Sequence, residues 1–162
     1  MQWRSQRPED TSSLAGALAE AAPPEGGVVA LVGELGTGKT VVAKGVAAAL
    51  GVPPDRVASP TFVIAHEYVT ERFRLVHADL FRVESAAALE AAGWRDWLGP
   101  GVLLLVEWAD RFRDELPPDH LEVRLRREPA DPQLRVIETS ATGPTAAAWL
   151  ERWSTGAAPL TE

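Results

Sequence analysis

The loop at residues 33–40, with the sequence GELGTGKT, has the residue types and spacing that point most directly to chemistry. It fits the pattern G-x-x-x-x-G-K-[ST], in which glycines allow a close backbone approach and successive N–H groups face a phosphate. The ammonium of Lys39 is a point charge on a flexible stem that reaches the β- and γ-phosphates. The hydroxyl of Thr40 is placed to bind Mg²⁺, which takes few protein ligands. The predicted ATP-phosphate-binding residues are Gly33, Leu35, Gly36, Thr37, Gly38, Lys39 and Thr40.

Lysine occurs at only two positions of the chain, Lys39 and Lys44, although arginine is used throughout. Arginine is longer and planar, so it does not fit the cradle in which a P-loop lysine meets phosphate oxygens. Lysine at residue 39 therefore agrees with a role in holding phosphate. The alternative is a glycine-rich turn with a chance Gly-Lys-Thr, which the flanking elements make the weaker interpretation.

Two acidic side chains are candidates for the rest of a phosphoryl-transfer site, which needs a second group near the metal ion. Glu107 ends the apolar run VLLLVE, and ligands of open α/β sheets bind at that edge. It would hold Mg²⁺ through water or orient the attacking water. Asp79, in HADLFR, also follows a strand and would touch the metal shell or the nucleophile. The alternative for Glu107 is an ordinary polar residue at a strand exit, and the alternative for Asp79 is a helix- or turn-capping aspartate.

Two continuous apolar runs predict the strands that position these residues. VVALVG (28–33) and VLLLVEW (102–108) lack polar alternation, which is typical of strands buried on both faces of a sheet. After the first run, KTVVAKGVAAALG predicts a helix that Gly51 ends. A buried strand, a glycine-rich loop and a helix thus follow one another, and this is the context that a P-loop requires.

Weaker patterns predict the remaining elements. EDTSSLAGALAEAA predicts a first helix with Asp10, Thr11 or Ser12 as its N-cap, and SAAALEAAGW predicts another with Ser85 as its cap. FVIAHEYV and FRLVHADLF alternate enough to be strands with a turn near TER. LEVRLRR and QLRVIETS indicate a half-exposed antiparallel pair, and TAAAWLERW predicts a final helix.

These patterns together predict an α/β fold with a single P-loop NTPase domain over residues 1–153. Its central sheet is expected to be mostly parallel, with antiparallel additions and helices on both faces. A length of 162 residues suits one domain with a hydrophobic core. Residues 154–162 are predicted to form a flexible tail.

Composition excludes several classes of function. The formal net charge of -7 argues against a free-standing nucleic-acid binder, so nucleic acid is expected to be met through a partner or one local patch. The chain has no cysteine, which excludes disulfides and thiolate metal sites. No apolar run is long enough to span a membrane, and the N-terminus, MQWRSQRPEDTSS, has no signal-peptide pattern. We therefore expect a cytoplasmic protein without a membrane partner.

Four motifs in order, GELGTGKT, SPTFVIAHEY, HADLFR and VEW, together resemble the TsaE family, the ATPase component of bacterial tRNA threonylcarbamoyladenosine biosynthesis. Many proteins share the P-loop alone. Ser-Pro-Thr-Phe about twenty residues after it, followed by His-x-Asp-Leu-aromatic-Arg and Glu-Trp, is far more specific. The resemblance covers roughly residues 10 to 126. The chain departs from the family pattern at Phe81, where tyrosine is more frequent, and at Thr37, where alanine is commoner.

The resemblance implies roles for residues outside the P-loop as well as for the phosphate-binding and Mg²⁺-binding side chains within it. Asp79 and Glu107 are the acidic residues needed for ATP turnover, with Glu107 also near the metal ion. Thr61, in SPTF, behaves like part of a switch loop near the γ-phosphate. Thr11 matches the start of the family's N-terminal helix, which lies near the nucleotide base. Trp108, next to Glu107, belongs to the family's functional signature and is expected to contact ATP.

The resemblance also implies partners. Proteins of the family resemble small ATPases that dock on a TsaD–TsaB complex, which transfers a threonylcarbamoyl group to an adenosine beside the anticodon. We therefore expect TsaD-like and TsaB-like partners, with tRNA reached only through their complex and ATP used to reset it. No motif places an arginine finger in cis, although Arg82 is a candidate beside the alternative of a surface salt bridge. Slow Mg²⁺-dependent ATP hydrolysis is expected for the protein alone.

Other functions remain possible on sequence grounds. ATP is favoured over GTP because the chain lacks the Asn-Lys-x-Asp loop that usually gives guanine selectivity. A small-molecule or nucleotide kinase is the main alternative, but such kinases usually carry an arginine-bearing lid where this chain has a predicted hairpin. A third hypothesis is a binding module in which ATP only gates assembly. The basic run RLRREP indicates either a solvated hairpin edge or a contact with tRNA or a partner.

Overall fold

Seven strands form one mixed sheet in the structure, a computed structural model that describes residues 1–157. In chain order they are β1 (Gln2–Ser5), β2 (Gly26–Val32), β3 (Ala65–Val69), β4 (Arg74–Asp79), β5 (Val102–Glu107), β6 (Leu121–Glu128) and β7 (Asp131–Ala141). Their order across the sheet is β1-β7-β6-β2-β5-β4-β3. The central pairings of β2 with β6, β2 with β5 and β4 with β5 are parallel, and the outer pairings are antiparallel. The predicted α/β fold, with a parallel centre and antiparallel additions, is confirmed.

Helices cover both faces of this sheet, as predicted. They are α1 (Pro8–Glu20), α2 (Lys39–Ala49), α3 (Ala86–Ala91), α4 (Trp94–Trp97) and α5 (Pro144–Gly156), with 3₁₀ segments at Pro54–Arg56 and Ala109–Glu115. One core lies between the sheet and α1, α2 and α5, and the other lies between the sheet and α3, α4 and the second 3₁₀ segment. Within residues 1–157, no helix combines the length and apolar character needed to cross a membrane.

The central strand β2 shows why its sequence is a continuous apolar run. Val29 and Leu31 belong to the core under α1 and α2, whereas Val28 and Ala30 belong to the core on the opposite face. Because successive side chains point to opposite faces, both sets must be apolar. The parallel strands β2, β5 and β4 therefore end together at one buried edge, where the P-loop begins.

Helix α2, which follows the P-loop, packs against α1 at close range. A Cβ built on Gly45 of α2 would lie 2.6 Å from the carbonyl oxygen of Ser12 and 2.9 Å from the Cβ of Ala15. No side chain fits in that space, so the two helices meet through their backbones. This contact fixes the axis of α2 and, with it, the direction in which the P-loop enters the helix.

Helix α5 is capped by a side chain from a distant part of the sequence. Its own N-cap residue is Gly143, and the Asp119 carboxylate accepts hydrogen bonds from the backbone N–H of Thr145 (2.9 Å) and Ala146 (2.8 Å). Burial acts to raise the pKa of Asp119, but these hydrogen bonds outweigh it, so the pKa lies below its ordinary value of 3.8. The cap therefore contributes stability above that pH, and the contribution is lost as the pH falls through the folded-state pKa.

Three details of the predicted elements differ from the structure. Helix α1 begins at Pro8 with Arg7 as N-cap, so the predicted caps Asp10, Thr11 and Ser12 are wrong; the Asp10 carboxylate instead accepts from the N–H groups before the helix. The strand predicted from FVIAHEYV begins only at residue 65, because Ile64 has a φ of 65° and breaks the extended run. Strand β1, which pairs with β7, was not predicted.

Other predicted features agree with the structure. Ser85 caps α3, since its hydroxyl oxygen accepts a hydrogen bond from the Ala88 N–H at 3.1 Å. Gly51, with a φ of 81°, follows the last turn of α2 as predicted. In the segment predicted as a tail, residues 154–156 belong to α5, and residues 158–162 lie outside the described residues.

Two glycines in the contact between α1 and α2 provide a test of its tightness. Gly45→Ala should lower the free energy of unfolding by roughly 1–3 kcal/mol, because the added methyl group meets the α1 backbone. Gly16→Ala is the matched control: its Cβ would lie 3.6 Å from the Ala49 Cβ, an ordinary contact, and alanine favours the helix. Chemical denaturation measures both variants. Equal stability of Gly45→Ala and wild type would contradict the backbone contact.

Candidate functional site

A cavity of about 320 Å³ lies at the edge where the parallel strands end and α2 begins. Its lining includes every predicted site residue except Gly33, Thr37, Thr11 and the candidate arginine Arg82. A second cavity, of about 170 Å³, contains Thr11 and Thr37 in its lining and shares Gly36 and Gly38 with the first. The P-loop therefore separates a cavity that contains the acidic residues from one beside the start of α1.

The P-loop leaves the start of α2 open to a ligand. Gly38 precedes the helix with a φ of 109°, and within residues 1–157 no side chain caps that end. The first N–H groups of a helix have no partners in the helix itself, and they favour an anion. This arrangement suits a phosphate group on the α2 axis.

Arg127 at the end of β6 supports the outer side of the P-loop. Its guanidinium donates to the carbonyl oxygens of Leu35 (3.2 Å) and Gly36 (3.4 Å). A Cβ on Gly36, which has a φ of 74°, would lie 2.7 Å from the same guanidinium. Arg127, which belongs to the basic run RLRREP, therefore contacts the P-loop. Neither alternative suggested by the sequence, a solvated hairpin edge or a contact with tRNA or a partner, included this contact.

Lys39 is buried at the bottom of the loop with 4% of its surface exposed. Its ammonium donates to the carbonyl oxygens of Gly33 (2.6 Å) and Glu34 (2.8 Å) and lies 4.0 Å from the ring centroid of Trp108. Trp108 adopts the left-handed conformation with a φ of 58°, directly after Glu107, and its ring lies 4.9 Å from that of Phe81. The structure thus brings Trp108 to the P-loop lysine.

Burial lowers the pKa of Lys39 below its ordinary value of 10.5, and the carboxylates of Glu107, Asp79 and Asp110 oppose this shift without cancelling it. The unfolded chain consequently binds more protons between the folded and unfolded pKa values, and the free energy of unfolding rises with pH across that window. Below the window, the full cost of burying the charged amine is present. An anionic ligand would reduce that cost.

Glu107 occupies the centre of the site, in register with Leu31 of β2 and Asp79 of β4. It is 3% exposed, and its Oε1 atom accepts hydrogen bonds from the Thr40 hydroxyl at 2.9 Å and from His77 Nε2 at 2.7 Å. A P-loop hydroxyl and a buried carboxylate from β5 therefore meet directly, as expected for a pair that holds a metal ion through few protein ligands.

Asp79 is tied to the loop that contains the SPTF motif. Its Oδ2 accepts from the Thr61 hydroxyl at 3.0 Å, and the hydroxyls of Thr61 and Ser59 lie 2.8 Å apart. Its Oδ1 accepts from the Phe81 N–H at 2.9 Å, so the turn-capping alternative describes one oxygen of this carboxylate. The structure thus brings Thr61 and Asp79 together in the cavity. Ile64 closes the loop with its strained positive φ.

Thr11 and Arg82, two other candidates, lie away from the acidic cavity. Thr11 is 4% exposed and its hydroxyl lies 2.7 Å from that of Ser5. The Arg82 guanidinium lies 4.5 Å from the ring centroid of Phe62 and does not line the cavity. The structure therefore does not bring Arg82 to the phosphate side of the site.

His77 is a residue of the site that the sequence motifs did not single out. Its ring is 1% exposed and contacts Glu107. The alternation in RLVHAD is the signal that could have found it. Residues two apart on a strand share a face, so His77 must share a face with Asp79 beneath the P-loop.

The side chains at this site fit Mg²⁺, which needs few protein ligands, better than they fit a metal ion whose ligands all come from the protein. Thr40 and Glu107 offer hard oxygen donors, and Mg²⁺ keeps several waters and uses substrate phosphates for the rest of its octahedron. Over residues 1–157, no three His, Cys, Asp or Glu side chains form a group that could hold a metal ion. A larger groove of about 940 Å³ lies beside the C-terminal end of α2, but it lacks the P-loop and these carboxylates.

The lowered pKa of Lys39 is directly measurable because the chain has only one other lysine. In Lys44→Arg, Lys39 is the sole lysine and gives a single side-chain signal in ¹⁵N-lysine NMR. We expect its titration midpoint to lie below 10.5 without nucleotide, because of burial, and to rise when ATP is added, because phosphate favours the charged form. A midpoint at or above 10.5 without nucleotide would contradict the lowering of the Lys39 pKa by burial.

Comparison with known proteins shows which family the chain resembles. The family model described as threonylcarbamoyl adenosine biosynthesis protein TsaE matches residues 5–136. A Bacillus subtilis protein named tRNA threonylcarbamoyladenosine biosynthesis protein TsaE is 36% identical over 143 residues, covering 88% of this chain and 87% of its own. The Mycobacterium tuberculosis H37Rv protein of the same name is 36% identical over 129 residues, covering 75% and 76%.

A solved structure gives the same result for the fold. The crystal structure of Bacillus subtilis YdiB superposes with a TM-score of 0.77 at 32% sequence identity, covering 96% of this chain and 94% of that one. The family model covers most of the chain, and the relatives match along most of their own length. The chain therefore belongs to the TsaE family.

Proposed function

We propose that the chain is an ATP-binding and slowly ATP-hydrolysing component of the bacterial machinery that makes threonylcarbamoyladenosine in tRNA. The observation that carries this proposal is the Thr40 hydroxyl lying 2.9 Å from the buried Glu107 carboxylate, beside Lys39 on a P-loop. A lysine, a hydroxyl and a carboxylate in this arrangement are the groups that Mg²⁺-dependent phosphoryl transfer uses. The names of the relatives supply the tRNA modification that the ATP would serve.

Lys39 would hold ATP by exchanging its hydrogen-bond acceptors. Its ammonium donates to two neutral carbonyl oxygens, whereas phosphate oxygens are charged and form stronger hydrogen bonds with an ammonium group. The open N–H groups at the start of α2 would bind the phosphates from the other side. The base would then extend toward Thr11 in the second cavity.

Thr40 and Glu107 would hold Mg²⁺, Glu107 through water. When bound, the ion neutralises negative charge on the phosphates. Glu107 and Asp79 are both close enough to the cavity to orient a water for attack on the γ-phosphate, and the Thr61 hydroxyl links Asp79 to the loop that would sense it. The products are ADP and free phosphate.

Slow turnover is proposed because the cavity lacks an arginine. Among the described residues that line it, Lys39 is the only basic side chain, and Arg82 lies against Phe62. An arginine finger stabilises the charge of the transition state and is worth roughly 10³–10⁵ in rate. A partner that supplied such a group, or reordered the Thr61 loop, would set the working rate.

TsaD-like and TsaB-like proteins are the proposed partners, and the proposed setting is the cytoplasm. The net charge of -7 disfavours a direct grip on tRNA, so the tRNA would be met through the partner complex. ATP is proposed rather than GTP because the chain has no Asn-Lys-x-Asp loop. The kinase alternative is weakened because residues 121–138, where a lid would lie, belong to the β6–β7 hairpin.

Hydrolysis by the purified protein tests the enzymatic part of this proposal. With ATP and Mg²⁺ we expect slow release of free phosphate, a different rate when TsaD-like and TsaB-like proteins are added, and no phosphorylated acceptor in a screen of small molecules and nucleotides. Phosphate release and mass spectrometry of the acceptors measure this. A phosphorylated product would favour a kinase, and an unchanged rate with partners would contradict partner control.

Removal of the Glu107 carboxylate distinguishes a function that requires ATP hydrolysis from one in which ATP binding only gates assembly. Glu107→Ala should lower kcat by roughly 10²-fold or more, because the water and metal lose their buried carboxylate, while partner binding in pull-downs with ATP persists. Asp114→Ala, at an exposed position outside the cavity, is the matched control and should leave both unchanged. If Glu107→Ala sustains tRNA modification without hydrolysing ATP, ATP only gates assembly.

A further inference from the structure

His77 lies beneath the candidate site in the middle of β4, with 1% of its surface exposed. In register it faces Leu105 of β5 on one side and His66 of β3 on the other. Its Nε2 atom lies 2.7 Å from Oε1 of Glu107, the shortest of the three side-chain hydrogen bonds that the structure gives this carboxylate. The ring therefore supports Glu107 from the neighbouring strand β4.

The proton on the His77 ring is placed by its neighbour. A carboxylate can only accept hydrogen bonds, so Nε2 carries a hydrogen and donates a hydrogen bond to Glu107. The other ring nitrogen, Nδ1, is buried and has no hydrogen-bond partner among residues 1–157. Leaving a buried polar atom unpaired carries a cost, and an apolar side chain would avoid it. Packing of the core alone therefore does not explain a histidine at this position.

The two carboxylate oxygens of Glu107 accept hydrogen bonds unequally. Oε1 accepts from His77 at 2.7 Å, and the single hydroxyl hydrogen of Thr40 is shared between Oε1 (2.9 Å) and, more weakly, Oε2 (3.2 Å). Two donors on one oxygen fix the rotation of the carboxylate about its terminal bond. The less occupied oxygen, Oε2, would then be available to accept a hydrogen bond from water in the cavity.

We propose that His77 is a positioning residue that holds Glu107 in the rotamer required for the Mg²⁺ site. This inference rests on the proposed function, in which Thr40 and Glu107 hold the ion. Side chains that orient a metal-binding group commonly act in this way, and their loss typically costs 10–100-fold in metal affinity or activity. His77 itself touches neither the nucleotide nor the ion.

Two amides of different reach test the geometry. In His77→Gln the side-chain NH₂ can reach the position of Nε2, whereas in His77→Asn it stops near the position of Nδ1. We expect His77→Asn to need roughly 10–100-fold more Mg²⁺ for half-maximal tightening of ATP binding, and to lower kcat with little change in KM. His77→Gln should restore most of both. Calorimetric ATP titrations at graded Mg²⁺ measure the first effect without relying on turnover.

Controls separate positioning from folding and from the proposed function. ATP affinity in EDTA should be the same in both variants, because neither substitution alters the P-loop, and thermal unfolding should show that both variants remain folded at the temperature of the binding assay. The positioning role is overturned if the Asn and Gln variants both show the Mg²⁺ dependence of wild type. It is also overturned if both variants lose that Mg²⁺ dependence to the same extent and are both less stable than wild type. If wild type binds ATP equally with and without Mg²⁺, the metal role of Thr40 and Glu107 is wrong, and the inference fails with it.

Discussion

The parallel register of β2, β5 and β4 is the constraint on which the candidate site depends. It places Leu31, Glu107 and Asp79 in one row across the sheet, directly below the P-loop. A slip of one residue would turn Glu107 to the opposite face. Every residue of β5 is buried, and the adjoining part of β2 is apolar toward both cores, so such a slip would not preserve the packing. The hydrophobic cores thus fix the position of a carboxylate.

The helices supply the other half of the geometry, because Lys39 and Thr40 are the first residues of α2. Helix α2 contacts α1 through Gly45, and α1 accepts hydrogen bonds on two of its carbonyl oxygens from the indole N–H groups of Trp149 and Trp153 in α5. Asp119 in turn fixes the start of α5. A continuous series of contacts from Asp119 through α5 and α1 to α2 therefore supports the P-loop.

Local patterns were enough to predict the P-loop, the two buried strands and the candidates Glu107 and Asp79, because glycine geometry and burial on both faces leave strong signals in sequence. Features that depend on distant partners could not be predicted in this way. Strand β1 exists only because β7 lies beside it, and the cap of α5 comes from Asp119 in the loop before β6. The contact of His77 with Glu107 required two strands to be aligned.

The contact between Arg127 and the P-loop has an evolutionary consequence. The guanidinium occupies the space that any side chain at residue 36 would need, and it also satisfies two carbonyl oxygens of the loop. A side chain at residue 36 is unfavourable with or without Arg127, because the φ of 74° strains any residue but glycine, whereas the flexible guanidinium can move aside. Loss of Arg127, in contrast, leaves only those two carbonyl oxygens to water. Residue 36 is therefore constrained by its own backbone and residue 127 only by two exposed hydrogen bonds, so the β6–β7 hairpin is expected to diverge more freely than the P-loop among descendants of this sequence.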